Sequence, residues 1–401
     1  GIMQKNLYLY SGVIVKINNQ LPTSHRKYNK PALQLLAAIT LSFLLPHVNA
    51  AEVTKSAKLA TSVEYDSNPS LSGTTKNPVW IYTLTPQFQL DITDEVNRWF
   101  LDTAFLVQRY SNEKVLVNRD DPRVMLGWDR TYESGMYGIK AEYQESSSRV
   151  DELKSTGEFS SLNNTEKSKV LAAKWQHAIS PRWSILTDGG YKDVAFTVPG
   201  VLINYSIADI KSQLSYANSE KLETYTQLGF SQLRPERDYE NTDLAQLMVG
   251  ANYQVSQGLT LSSRAGVYSL SGRQSDSDWQ AGIKAEKTTE RANYSVGLSR
   301  DIVASGVGGF RKADSLQAMW NFNVSERNFV GAEYQLDRYK KDASVLVDKF
   351  KFQQFLAFYD RILTDHWKAR LSAARKETDS PATSAQSNVI GVSLVYDTLS
   401  F

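Results

Sequence analysis

For catalysis, this chain offers four histidines, no cysteine and no cluster with metal-ligand spacing. His25 and His47 fall in the first 50 residues, which read as a removable leader, so only His177 and His366 remain for acid–base work. A hydrolytic site would need an imidazole beside a serine or a carboxylate. No HExxH, GxSxG or Walker pattern supplies one, and no helix follows Gly306-Val307-Gly308-Gly309 to make it a phosphate cradle. The absence of cysteine removes disulfides, thiolate metal sites, a thiol nucleophile and a lipid-bearing cysteine. Enzyme chemistry, cofactor and metal are therefore not expected.

What the chain does carry is a set of charges interleaved with Gln, Asn, Ser and Thr at alternate positions. Lys140, Glu142, Lys174, Lys211, Glu223, Arg264, Lys284, Glu286, Arg300, Glu333, Lys368 and Arg370 form this set. Such residues suit a hydrated path in which Arg and Lys attract acidic groups and Tyr faces stack on sugar rings.

The elements that position them are strands. From Val79, Trp80, Tyr82, Leu84, Phe88, Leu90 and Ile92 share one face, opposite Thr83, Thr85, Gln87, Gln89 and Asp91. The alternation restarts after Asp94 and Glu95, with Trp99, Leu101, Phe105 and Val107 opposing Arg98, Asp102 and Gln108. Each arm approaches the 9 to 11 residues that a tilted strand needs to cross a bilayer. Eighteen such segments are centred near Val63, Phe88, Phe105, Leu126, Ala141, Ala173, Ile185, Ile210, Leu228, Ala251, Ala265, Ile283, Val296, Met319, Ala332, Leu356, Leu371 and Leu394. The expected fold is an all-β transmembrane antiparallel up-and-down barrel of about 18 strands, with 16 as the alternative. The strand near Leu356 is ambiguous, because Phe352, Phe355, Leu356 and Phe358 occupy both faces.

Connections alternate in length. Short turns such as 133–135, 179–182 and 256–258 alternate with longer loops such as 67–78, 112–122, 146–167, 233–241, 304–311 and 377–387. Short turns belong to the periplasmic side of an outer-membrane barrel and long loops to the outside, which puts both ends of the barrel in the periplasm. Trp99, Tyr137, Trp183 and Trp367 begin strands just after short turns and Trp175 ends one just before, as an interfacial aromatic girdle would. His177 and His366 then lie on the periplasmic side, away from where a barrel hydrolase would act. The polar loop 146–167 is long enough to fold inward.

A mean hydropathy of −0.39 fits a barrel, since only alternate residues meet lipid. The first 50 residues hold five of the 45 basic residues and none of the 43 acidic ones. Their apolar run Leu33–Leu45 and the site Val48-Asn49-Ala50 read as a signal peptide with an amino-terminal extension, cleaved after Ala50. The first Met stands at position 3, as if the start had been placed too early. Residues 51–401 form the barrel domain, acidic by about three charges, so nucleic acid is not a partner. The expected partners are outer-membrane lipids and the barrel assembly machinery, for which a terminal Phe401 on the last strand is the recognisable signal. Asp397 breaks that strand's register, so a bulge or a terminus leaving the lipid is expected there.

Thr61-Ser62-Val63-Glu64-Tyr65-Asp66-Ser67-Asn68-Pro69 ends the first strand in a good turn former. With the leader and a barrel of this length, the Tyr-Asp-x-Asn-Pro segment resembles the beta-barrel porin 2 family, the outer-membrane proteins encoded in many exopolysaccharide gene clusters. The resemblance implies an outer-membrane pore for exopolysaccharide export, with a polysaccharide and a periplasmic export component as partners. A diffusion porin for small solutes is the alternative, weakened because no loop has the length of a typical constriction loop. An outer-membrane hydrolase barrel is the remote third reading.

Overall fold

The computed structural model describes residues 51–148, 163–198, 202–236, 240–273, 275–306, 308–340, 350–380 and 384–398. The expected leader, most of the 146–167 loop and Phe401 lie outside the described residues.

Eighteen strands follow one another: β1 (Glu52–Asp66), β2 (Val79–Thr93), β3 (Asn97–Tyr110), β4 (Arg119–Tyr132), β5 (Gly135–Ser147) and β6 (Thr165–Ala178). Then come β7 (Trp183–Phe196), β8 (Tyr205–Ala217), β9 (Leu222–Pro235), β10 (Thr242–Ser256), β11 (Leu259–Gly272) and β12 (Asp276–Thr288). The last are β13 (Ala292–Ser305), β14 (Gly309–Ser325), β15 (Asn328–Lys340), β16 (Phe350–Ile362), β17 (Trp367–Asp379) and β18 (Ser384–Asp397). Each expected segment centre falls inside one of them. Each strand pairs antiparallel with its sequence neighbours, and β1 closes on β18 from Lys58↔Asp397 to Asp66↔Val389.

Closure gives every strand a neighbour on both sides, which lipid demands because an unpaired backbone group there costs several kcal/mol. Strands of 13 to 17 residues, at about 3.3 Å per residue and tilted by about 40°, give a wall roughly 33–43 Å tall. That exceeds the hydrocarbon thickness. The outward face is apolar: Val249, Val267, Ile283, Leu371 and Ile390 are each more than half exposed. So continuous an apolar surface would aggregate in water.

Short turns are set by local chemistry. At 94–96 the Asp94 carboxylate accepts the N–H groups of Val96 (2.9 Å) and Asn97 (2.7 Å), which lowers its pKa. Several loops are shorter than the alternation implied, because the strands extend further. β4 begins at Arg119, β9 runs to Pro235, and 304–311 is almost wholly strand. In β16, Phe355 shares the outward face with Ala357, while Phe352, Leu356 and Phe358 share the inward one. The bulge expected near Asp397 is absent: both ladders of β18 keep register through Tyr396, and the strand ends at Asp397.

Candidate functional site

Following register around the sheet, Lys140, Glu142, Lys174, Lys211, Glu223, Arg264, Lys284, Glu286, Glu333, Lys368 and Arg370 occupy one face. It is the face opposite the exposed apolar rows. Arg300 does not join them. It pairs with Ala281 and shares its parity with Val296 and Leu298, so it stands on the outward face. Its charge suggested an inward position; strand alternation dictates the opposite. The girdle residues Trp99, Tyr137, Trp175, Trp183 and Trp367 lie on the outward face at the short-turn end, all exposed. His177 sits there too, its ring stacked between Trp175 and Tyr132, with Nδ1 3.2 Å from the hydroxyls of Tyr132 and Ser134. His366 Nδ1 is 3.0 Å from the Asp397 carbonyl oxygen. Among the described residues, neither histidine is hydrogen-bonded to a carboxylate.

The inward face departs from the wet pattern at its loop end. Val194, Phe196, Tyr205, Leu233, Leu244, Tyr268 and Leu270, all on the lumen side of β7 to β11, are apolar and buried. The cover is the tip of the β13–β14 hairpin. β11 and β12 pair up to Leu270↔Asp276, but β12 and β13 pair only up to Ala281↔Arg300. Beyond that point β13 stays with β14 as far as Ser305↔Gly309. The hairpin therefore leaves the wall and turns inward. Phe310 is buried against the apolar patch, with Ile302 and Ala304 packed beside it. The tip reaches the β7–β8 connection, where the Ile203 N–H donates to the Gly306 carbonyl at 2.7 Å. Gly308 takes a φ of +82°, and a Cβ there would lie 3.6 Å from Ile203 and Pro235. Burying each large apolar side chain contributes about 1.5–3 kcal/mol.

Ion pairs fix the root of this hairpin. Lys312 Nζ lies 2.7 Å from Asp276 Oδ2 and 2.9 Å from Asp278 Oδ2. The same two carboxylates cap the edge that β13 has vacated, accepting the N–H groups of Ser277 (2.9 Å) and Trp279 (2.8 Å). From β11, Arg264 reaches across β12 to Asp301, the first residue past the last pair, with Nη2 at 2.6 and 2.8 Å from its two oxygens. A glycine at 282 permits this, since a Cβ there would lie 3.0 Å from Arg264 Nε.

Beneath the hairpin is a cavity of about 470 Å³, lined by Tyr225, Ser262, Arg264, Lys284, Ser295, Ser299, Asp301 and Gln317 among others. Lys284 pairs with Glu286 at 2.6 Å. Nearer the short-turn end, Asp360 receives Arg370 (2.6 and 2.9 Å) and Lys368 (2.8 Å). Arg123 donates to Glu142 at 2.8 Å. These pairs balance charge along the wall. Among the described residues no group of histidines and acids is placed to hold a metal.

The loop 67–78 tucks inward opposite the hairpin. Leu71 packs on Phe352 and Ala385, both on the lumen face. Its anchor is the Asp66-Ser67-Asn68 turn: the fully buried Asn68 donates its N–H to Asp66 Oδ1 and Ser387 Oγ, both at 3.0 Å. Its amide donates to the carbonyls of Ser72 (2.9 Å) and Gln386 (3.1 Å).

No family model matches the chain, and no curated protein does. Solved structures do. The outer membrane protein OpdK of Pseudomonas aeruginosa is 11% identical over 87% of this chain and 99% of its own, with a TM-score of 0.50. OccAB2 of Acinetobacter baumannii is 9% identical over 87% and 98%, also at 0.50. The likeness is one of fold. A closed antiparallel sheet with this apolar outer belt is a multi-pass outer-membrane β-barrel.

Proposed function

We propose that the chain is a non-enzymatic outer-membrane channel for small hydrophilic solutes. The observation that carries this reading is the β13–β14 hairpin seated against the lumen face of β7 to β11. An 18-stranded wall alone leaves a wide aqueous lumen, and an element folded into the mouth narrows it. Constriction here needs no long loop, which lifts the objection that none exists. The partners are the lipids of the outer membrane and the machinery that assembles barrels there. A fully seated hairpin is unfavourable for a polymer. The export reading rests on the Tyr-Asp-x-Asn-Pro resemblance, and in this chain Asp66 and Asn68 are engaged in folding the first loop. A polysaccharide and a periplasmic delivery component belong only to that second reading.

The test reconstitutes the folded chain in planar bilayers and in liposomes. Steady ion conductance is expected, with liposome swelling rapid in glucose and absent in maltohexaose. Equal swelling in both sugars would overturn the small-solute reading in favour of polymer passage.

A further inference from the structure

On the lipid side, a groove of about 480 Å³ lies over the paired end of the β12–β13 seam and extends across β14 to β15, with Trp279, Ile283, Leu298, Leu316 and Leu336 as its apolar sides. At its loop-end rim stand Arg300, Asp314 and Arg338. Asp314 is held by Arg300 at 2.6 and 2.9 Å. The Arg300 guanidinium also covers the Trp279 ring at 4.1 Å. Arg338 is exposed and, among the described residues, pairs with no carboxylate, so the rim carries one surplus positive charge.

Neither half of this arrangement is stable by itself in a membrane. An apolar trough facing hydrocarbon fills with acyl chains, and an arginine on the lipid face costs free energy unless it lies near the headgroups or meets an anion. We propose that this seam binds an anionic lipid of the surrounding leaflet, one acyl chain along Ile283, Leu298 and Leu316 and the headgroup phosphate on Arg338. A phosphate accepts the planar guanidinium in two parallel hydrogen bonds.

The experiment is native mass spectrometry of the full barrel, released from neutral detergent. The probes are palmitoyl-oleoyl phosphatidylglycerol and the phosphatidylcholine with the same chains. Wild type is expected to retain one phosphatidylglycerol about tenfold more strongly than phosphatidylcholine, whose choline cation offsets the same phosphate beside the arginine. Arg338→Gln is expected to abolish that preference by lowering phosphatidylglycerol retention far more than phosphatidylcholine retention. Leu298→Trp, which fills the trough, is expected to reduce both. Arg375→Gln, an outward arginine on β17, should keep the preference. Equal retention of the two lipids by wild type would overturn the proposal. So would a preference that survives Arg338→Gln, or one that Arg375→Gln removes equally.

Discussion

Replacing Phe310 by alanine should release the β13–β14 hairpin from the lumen wall and widen the channel. Phe310 is 3% exposed and belongs to an apolar cluster drawn from the five strands β7 to β11. Phe→Ala at such a site costs about 3–5 kcal/mol. The polar latch is weaker. Lys312 makes two short charge-assisted contacts, but its side chain and those of Asp276 and Asp278 are 28%, 36% and 30% exposed. Screening at that exposure leaves about 1–2 kcal/mol for the pair of contacts. The apolar seat therefore dominates.

At 1.4 kcal/mol per factor of ten, Phe310→Ala shifts the ratio of released to seated hairpin by at least about a hundredfold, and Lys312→Gln by about tenfold. Single-channel recording reads this as time spent in a higher conductance level. The chain has no cysteine, so an Ile203→Cys and Gly306→Cys pair can lock the tip with a single disulfide. Oxidation should hold the low level even in the Phe310→Ala background, and reduction should free it. The reasoning is refuted if Phe310→Ala leaves the conductance levels unchanged, or if Lys312→Gln releases the hairpin more than Phe310→Ala does.

Further outcomes follow from single contacts. Asn68→Ala removes the amide that ties loop 67–78 to Ser72 and Gln386, so the barrel should lose about 1–3 kcal/mol in urea unfolding and the loop should become open to proteolysis. Asp360→Asn leaves Lys368 and Arg370 without their shared carboxylate; the reversal potential in a salt gradient should move toward anion selectivity. Asp94 holds its proton less tightly folded than unfolded, because it accepts two turn N–H groups. Its contribution is therefore present above an unfolded pKa of about 3.9 and is lost as the pH falls below that value. Asp94→Asn should accordingly flatten the acid limb of a stability–pH curve.

Strand number and pairing were legible because a membrane barrel obeys a single rule, apolar and polar residues on alternate faces. The rule located every strand centre from Val63 to Leu394. It also contained the correction for Arg300, since Val296, Leu298 and Arg300 share a parity; charge alone argued for the inside. The hairpin was not legible in Gly306-Val307-Gly308-Gly309, which looks like any loop. Its signal lay elsewhere, in Val194, Phe196, Tyr205, Leu233 and Leu244, apolar residues on what should be the wet face. Clustered at one end of consecutive strands, such residues require a cover, but only the fold shows which segment supplies it. Asp360 was likewise missed, because its partners Lys368 and Arg370 meet it only across the β16–β17 ladder.

The shortness of the seam between β12 and β13 explains how this hairpin can leave the wall. The seam is joined over only eight residue pairs, Ala281↔Arg300 to Thr288↔Asn293, while β11 and β12 are joined over twelve. An unzipped ladder in lipid would ordinarily expose backbone donors at several kcal/mol each. Here Asp276 and Asp278 satisfy the donors of Ser277 and Trp279 and also bind Lys312 at the root of the hairpin, on β14. The charge that caps the vacated edge is thus also the charge that latches the root of the hairpin. Losing both carboxylates should loosen the hairpin and expose the edge together, so Asp276→Ala with Asp278→Ala should destabilise the barrel by more than Lys312→Gln, which loosens the hairpin but leaves the edge capped. Urea unfolding of the two variants measures the difference, and equal loss would mean that the carboxylates serve the latch alone.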